Sequence, residues 1–301
     1  AIHGADVAVA IVQPHSSPPV AFRGRVWIRV GPRRAIATPD EERMLIERRR
    51  LANLPFDSRP LASAGVGDLV LETFRTEILP QLVDHDVLAD NHRPVEQQLA
   101  ALRLIDPEGH ATPTGLLVCG VEPEAHLPGA YLQFNRFDGT ELVDPIVSTH
   151  RLSGPLPQIM REVDEVVRAN VGTRVVFAGE EREQRRSDAP FDAIQQLVRN
   201  ALIHRVYEGT NAPVRISWFR DRVEIHSPGG PYGQVTIETF GRPGVTDYRN
   251  PSLAGVLGQL GYVQRFGLGI AVARSALDKN GNPSLELVPT LTHVLAIVRF
   301  E

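Results

Sequence analysis

The 301-residue sequence has one cysteine, Cys119, and one lysine, Lys279. A single thiol excludes an intrachain disulfide framework and a cysteine-based zinc site. It fits a reducing, cytoplasmic setting. Cys119 lies in an apolar run and reads as an inert core thiol. With one lysine, the rest of the 32 basic side chains are arginine, which reads as codon bias of a GC-rich genome and not as function. No apolar run approaches the ~20 residues of a membrane span, so no membrane partner is expected. Val7–Val12 is of strand length and lacks the flanks of a signal peptide. The ten histidines are scattered, with no HExxH, so no structural metal is expected. Ser227 and Ser252 lack a GxSxG context. Asp138 and Asp144 form no recognisable carboxylate dyad. Neither a GxGxxG after a strand nor a GxxxxGK[ST] is present, which excludes Rossmann and P-loop phosphate binding.

Hydrophobic residues make up 42% and charged residues 23% of the chain, as in globular proteins. The length suggests two domains, or three small ones. The net charge of −4 does not announce nucleic-acid binding. Its distribution is uneven, because residues 1–50 carry nine arginines against five acidic side chains. Ala1 in place of Met, followed almost at once by a strand, suggests a piece of a longer protein.

The patterning divides into three parts. Asp6–Gln13 and Arg25–Val30 read as strands, with Val26, Ile28 and Val30 on one face and Arg25, Trp27 and Arg29 on the other. Thr38-Pro39-Asp40-Glu41 then opens a helix through a capping box and a proline at its first position. Residues 54–65 have the composition of a linker. Helical patterning follows at Gly67–Val83 and Pro94–Leu104, then an apolar segment at Leu116–Val118. Tyr131–Phe137 and Val143–His150 read as strands around Asp138-Gly139. Pro155–Asn170 is helical, Arg174–Phe177 a strand, and Glu180–Asp188 a charged, exposed connection. Phe191–Arg205 is a helix, and Pro213–Phe219 and Arg222–His226 are strands. Asn250–Leu260 and Leu268–Asn280 are helices, and Leu285–Val288 and His293–Phe300 are strands.

The helix at 191–205 is the most informative element. Gln196, Asn200 and His204 stand at i, i+4 and i+8 beside an apolar face. Three neutral hydrogen-bonding groups in line fit a polar ligand above the helix; a surface stripe capping a neighbouring loop fits as well. Ser227-Pro228-Gly229-Gly230 follows a strand, and Gly267-Leu268-Gly269 precedes a helix. Glycines at such places let a backbone approach an anion, although each could equally be a turn.

Taken in order, LVRNALIHRVYEGT, DRVEIHSPGGP and RNPSLAGVLGQLGYVQRFGLGI resemble the C-terminal domain of proteins labelled RecG-like helicases or Schlafen AlbA-domain transcriptional regulators. VAVAIVQPHSSPPVAFRGRVWIRVGPRRAIAT resembles the C-terminal half of their AlbA-type domain, and PTGLLVCG their connector. The resemblance implies an α+β chain in three parts. These are a truncated AlbA-like piece at 1–53, a helical linker and α/β connector at 54–150, and a GHKL-like two-layer α/β sandwich at 151–301. In that fold, the type of gyrase, MutL and the histidine kinases, the ligand is ATP with Mg²⁺. The resemblance places the Mg²⁺ contact at Asn200, with Gly229 and Gly230 near the adenine and Gly267 and Gly269 against the phosphates. His204 joins them as a candidate nucleotide-binding residue. The position of the general base holds Gln196, an amide that orients water but takes no proton. No carboxylate stands in register at Ser227, where such enzymes bond the adenine amino group. Helicase activity is not expected without a Walker A motif.

The basic cluster Arg23, Arg25, Arg29, Arg33 and Arg34, with Trp27 for stacking, fits DNA binding. It fits equally a solvated face paired with Glu41, Glu42 and Glu47. Arg48, Arg49 and Arg50 extend the cluster. The resulting expectation is a transcriptional regulator whose degenerate nucleotide-binding domain acts as a ligand sensor or dimerisation unit in a homo-oligomer. The alternatives are a slow GHKL-type ATPase and a scaffold that has lost the ligand.

Overall fold

A computed structural model describes residues 19–30, 33–42, 45, 54–90, 92–177, 183–263 and 267–300. The chain divides into two compact units, Ala1–Leu54 and Pro55–Glu301. The expected strand at 6–13, the end of the helix after Glu42 (save residue 45) and Arg48–Arg50 lie outside the described residues.

In the first unit, β1 (Ala21–Phe22), β2 (Arg25–Val30) and β3 (Arg33–Ile36) form an antiparallel meander. Arg23 and Gly24 both take positive φ, 51° and 74°, as a two-residue hairpin turn between right-twisted strands requires. Val26 is buried, while Arg25, Trp27 and Arg29 are exposed on the opposite face, as the alternation predicts. Register refines the basic cluster. Trp27 pairs with Ile36 and Arg29 with Arg34, whereas Arg33 pairs with Val30 on the other face. Arg23 sits in the turn. The cluster is therefore not one surface, because a register pair shares a face and the next pair takes the other. The capping box at the following helix is formed: Glu41 N–H donates to Thr38 Oγ1 at 3.3 Å, and Thr38 N–H to Glu41 Oε2 at 2.8 Å.

The second unit begins with short helical pieces. The turn Phe56–Ser58 lies in the stretch whose composition reads as a linker, yet Asp57 is fully buried. Its Oδ2 accepts from Leu253 N–H at 2.9 Å, and its carbonyl accepts from Thr114 Oγ1 at 2.8 Å. The segment is thus a docked strap. Leu71–Thr73 continues through one wide turn, Phe74–Ile78, into Leu79–Leu82. The wide turn precedes Pro80, which has no N–H to offer a regular helical bond. Further short helices follow, among them α1 (Val95–Ala101) and α2 (Pro113–Cys119). The sequence showed only an apolar run within α2. Every residue of α2 is buried, so no polar face marks its period.

A six-stranded sheet carries the rest. It comprises β4 (Leu132–Phe137), β5 (Ile146–Leu152), β8 (Val214–Trp218), β9 (Arg222–Pro228), β10 (Glu286–Pro289) and β11 (His293–Arg299). Their order is β10-β11-β9-β8-β4-β5, with β4 and β8 parallel and the other pairs antiparallel. A separate hairpin pairs β6 (Thr173–Phe177) with β7 (Glu183–Ser187). Its second strand replaces the expected charged connection. The sequence EQRRS has no apolar alternation; the strand pairs through its backbone with β6, and Asn280 Nδ2 donates to Ser187 O at 2.9 Å.

Three helices join the sheet: α3 (Leu156–Asn170), α4 (Phe191–His204) and α6 (Gly269–Asn280). Between β9 and α6 lies α5 (Pro251–Gln259). Alternate sheet residues, among them Phe134, Ile216, Val223, Ile225, Ala296 and Val298, are buried in one continuous core. Ile159, Met160 and Val163 of α3 and Ile194, Leu197, Val198 and Ala201 of α4 belong to the same core. Burying a Leu or Ile side chain contributes about 1.5–3 kcal/mol, so this face fixes how α4 is rotated. The result is the expected α+β class, with a two-layer α/β sandwich at the C-terminus. Its sheet draws β4 and β5 from the stretch 54–150.

Candidate functional site

Helix α4 presents two polar rows. In the first, Gln195 Nε2 donates to Asp164 Oδ2 at 2.6 Å, and Arg199 Nη2 meets the same oxygen at 3.2 Å. This row ties α4 to α3. The second row is Gln196, Asn200 and His204. Their side chains make no hydrogen bond among the described residues, and all three line one cavity. Gln196 is 8% exposed. None of the three is among the side-chain polar atoms closed off from solvent without a partner, so the row opens its hydrogen-bonding groups to the cavity and is not committed to the fold.

The cavity has a volume of about 150 Å³. Its walls include apolar side chains from the sheet, Ile225, Val294, Ala296 and Leu287, with the 231–249 segment facing them. Gly229, Gly230, Gly267 and Gly269 also line it, so the structure brings together every nucleotide-site residue that the sequence singled out.

The glycines have different reasons. A Cβ on Gly269 would stand 2.8 Å from Asn200 Nδ2 and 3.1 Å from Oδ1, so only glycine lets the start of α6 abut this amide. Gly267 has φ +65°, and a Cβ there would meet Thr246 Cγ2 at 2.0 Å. Gly229 and Gly230 serve the backbone instead. Gly229 has φ +99° and packs on Val206, and a Cβ on Gly230 would be 2.2 Å from the Thr290 carbonyl.

Other motif residues are structural. Arg205 is fully buried. Its guanidinium donates to the carbonyls of Val206 at 3.1 Å, of Ala212 at 2.9 Å and of Gly129. Tyr207 OH donates to Leu202 O at 2.7 Å. Asn250 Nδ2 donates to Ile203 O at 2.7 Å and to Arg205 O at 2.9 Å. The HRVY and RNP runs thus close the C-terminal end of α4, where carbonyls lack helical partners.

The charges inside are few. The His204 ring stacks on Tyr248, with 5.3 Å between centroids. Burial first, and then the charge of Arg249, push its pKa down to about 4, so the ring is neutral at pH 7. Ser227 Oγ donates to Ala201 O at 3.0 Å. Asp247 accepts from Gln234 N–H at 3.0 Å and Tyr248 N–H at 2.8 Å. Arg249 donates to Gly230 O at 3.0 Å. The sequence reading passed over Arg199, Arg249, Tyr232 and Tyr248. Arg249 stood inside the quoted RNPSLA run, but no spacing tied it to the helix 45 or more residues earlier. Among the described residues no group of three or more His, Cys, Asp or Glu is placed to hold a metal, and no helix is long and apolar enough to cross a membrane.

Residues 211–298 match the family described as "Putative ATP-dependent DNA helicase recG C-terminal". The matched stretch runs from just before β8 through β11 and holds the four glycines; Gln196, Asn200 and His204 precede it. No curated protein matches the sequence significantly. Among solved structures, the DIP2311 protein from Corynebacterium diphtheriae is similar at a TM-score of 0.61 and 18% identity. The likeness covers 92% of this chain and 53% of that one, so the chain spans about half the length of that protein. The C-terminal part is therefore similar to RecG C-terminal, GHKL-like ATPase domains, and over the covered part the chain is similar in fold to DIP2311.

Proposed function

We propose that the second unit binds a nucleotide in the α4 cavity and acts as a ligand sensor without efficient turnover. The observation that carries this reading is the row Gln196, Asn200 and His204, uncommitted to the fold and facing a cavity with an apolar floor. An apolar wall with few convergent polar groups suits a flat ring joined to a polar tail. Asn200 fits Mg²⁺ in donor chemistry, since its amide oxygen is a hard, neutral ligand with no protein partner. Mg²⁺ keeps most of its shell as water and phosphate oxygen, so one protein amide is a sufficient contact. The ion would neutralise phosphate charge. Gly269 gives the amide room beside the start of α6.

Turnover needs a group that takes a proton from water. Gln196 cannot. Asp247 is the sole carboxylate among the described residues lining the cavity, and two backbone N–H groups hold it. Calorimetric titration with ATP and Mg²⁺ tests the reading, with saturable binding expected in the native chain and lost in Asn200→Ala.

We infer further that the chain is a transcriptional regulator whose first unit contacts DNA through Arg25, Trp27, Arg29 and Arg34. These residues share one face of the meander, and the Arg34 guanidinium lies 5.2 Å over the Trp27 ring. A Trp27→Ala, Arg34→Ala variant that binds duplex DNA as the native chain does, at several salt concentrations, would contradict this part.

A further inference from the structure

The arginines lining the cavity differ in what neutralises them. Arg199 is paired with Asp164 of α3. Arg242, on the 231–249 segment, lies in the field of Glu238. Arg249 has no carboxylate partner among the described residues. One of its terminal nitrogens serves the Gly230 carbonyl, and its guanidinium lies 4.8 Å from the Tyr232 ring centre. Its Nε is closed off from solvent and makes no hydrogen bond. Burial holds its pKa below the ordinary arginine value. The carboxylate two residues earlier, Asp247, is committed to two N–H groups. A guanidinium held in this way is incomplete until an anion meets it.

On the sheet and along α4, the groups that could read a ring edge are in the opposite condition. The Ser227 hydroxyl proton is given to Ala201 O. Ile225, Leu287, Val294 and Ala296 have no polar side-chain atoms. The uncommitted amides, Gln196 and Asn200, donate or accept equally well after a half-turn, so they favour no one pattern of ring donors and acceptors.

The geometry points to Arg249 as the anchor of an anionic group in this cavity, with the anion and not the base deciding which ligand binds. The inference rests on the nucleotide reading above and narrows it. The ligand class is phosphate-bearing nucleotides without preference among bases.

The test is calorimetry on the full chain with the Mg²⁺ complexes of ATP, GTP and CTP and with inorganic tripolyphosphate. The three nucleotides are expected to bind within about threefold of one another. Arg249→Gln should weaken all of them by about tenfold or more, as loss of a charge-assisted contact does. Arg249→Lys, which keeps the charge and loses the planar fork, should fall between. ATP bound more than about tenfold tighter than GTP would overturn the inference, as would unchanged affinity in Arg249→Gln. Thermal melting checks that each variant folds. If Arg249→Gln does not, the lysine variant and the comparison of bases decide. ATP-selective binding lost in Asn200→Ala but kept in Arg249→Gln would overturn this inference and leave the nucleotide reading standing. Absence of binding by every ligand would overturn both.

Discussion

Replacing Gly269 by alanine separates the fold from the site. Gly269 opens α6 with a φ that alanine also adopts, since it is absent from the positive-φ residues. A methyl group there would lie 2.8 Å from Asn200 Nδ2. Ordinary contact needs about 3.5 Å, so the amide must retreat by about 0.7 Å. That movement is cheap for the fold, because the atom displaced is the tip of a side chain with no hydrogen-bond partner. Alanine in a helix gains about 0.5–1 kcal/mol over glycine, which offsets the repacking. The melting temperature should therefore move by no more than a few degrees. A binding group displaced by more than about 0.5 Å loses its geometry, and ATP affinity in the presence of Mg²⁺ should fall by about tenfold or more. Differential scanning fluorimetry and calorimetry on the same preparation give both numbers. A folded Gly269→Ala chain with native ATP affinity would refute the placement of the ligand against Asn200.

Further outcomes follow from the same contacts. Asp57 has a raised pKa, from burial against the opposing hydrogen bonds of Leu253, Ser58 and Ser252. Its contribution to stability is therefore fully present below the ordinary aspartate pKa and is lost as pH rises through the folded value. Asp57→Asn keeps the acceptor for Leu253 N–H and should remove this part of the pH dependence in urea melts. Asp57→Ala should cost about 1–2 kcal/mol below the ordinary aspartate pKa, as loss of a helix cap does, and less as pH rises through the folded value. Arg205→Met leaves three carbonyls without their donor and should destabilise by about 3 kcal/mol, read from the denaturation midpoint. In a proton NMR titration His204 should protonate near pH 4. A midpoint near 6.5 would show that the ring is not enclosed with Arg249.

Much of this architecture was legible in the residues. The rotation of α4 follows from Ile194, Leu197, Val198 and Ala201, and that rotation sends Gln196, Asn200 and His204 to one side. The meander of the first unit follows from alternation in RVWIRV. What failed to show has common physical causes. Helix α2 is buried all round and therefore has no period. Strand β7 is charged and pairs through its backbone. The stretch around Asp57 is rich in proline and serine, as linkers are, yet it caps a helix 196 residues away. The roles of Arg205 and Asn250 were likewise hidden. A motif shows which residues recur together, not whether they touch a ligand or one another. Gly229 and Gly230 illustrate the same point, since they line the cavity while their lack of a side chain serves Val206 and Thr290.

The measurement that bears most directly on the account is calorimetric titration of the chain with ATP and Mg²⁺, beside Asn200→Ala. The account predicts saturable binding by the native chain, its loss in a variant that melts at the native temperature, and no phosphate release over the same period. Absence of binding at millimolar ATP, or equal binding by both proteins, would contradict it.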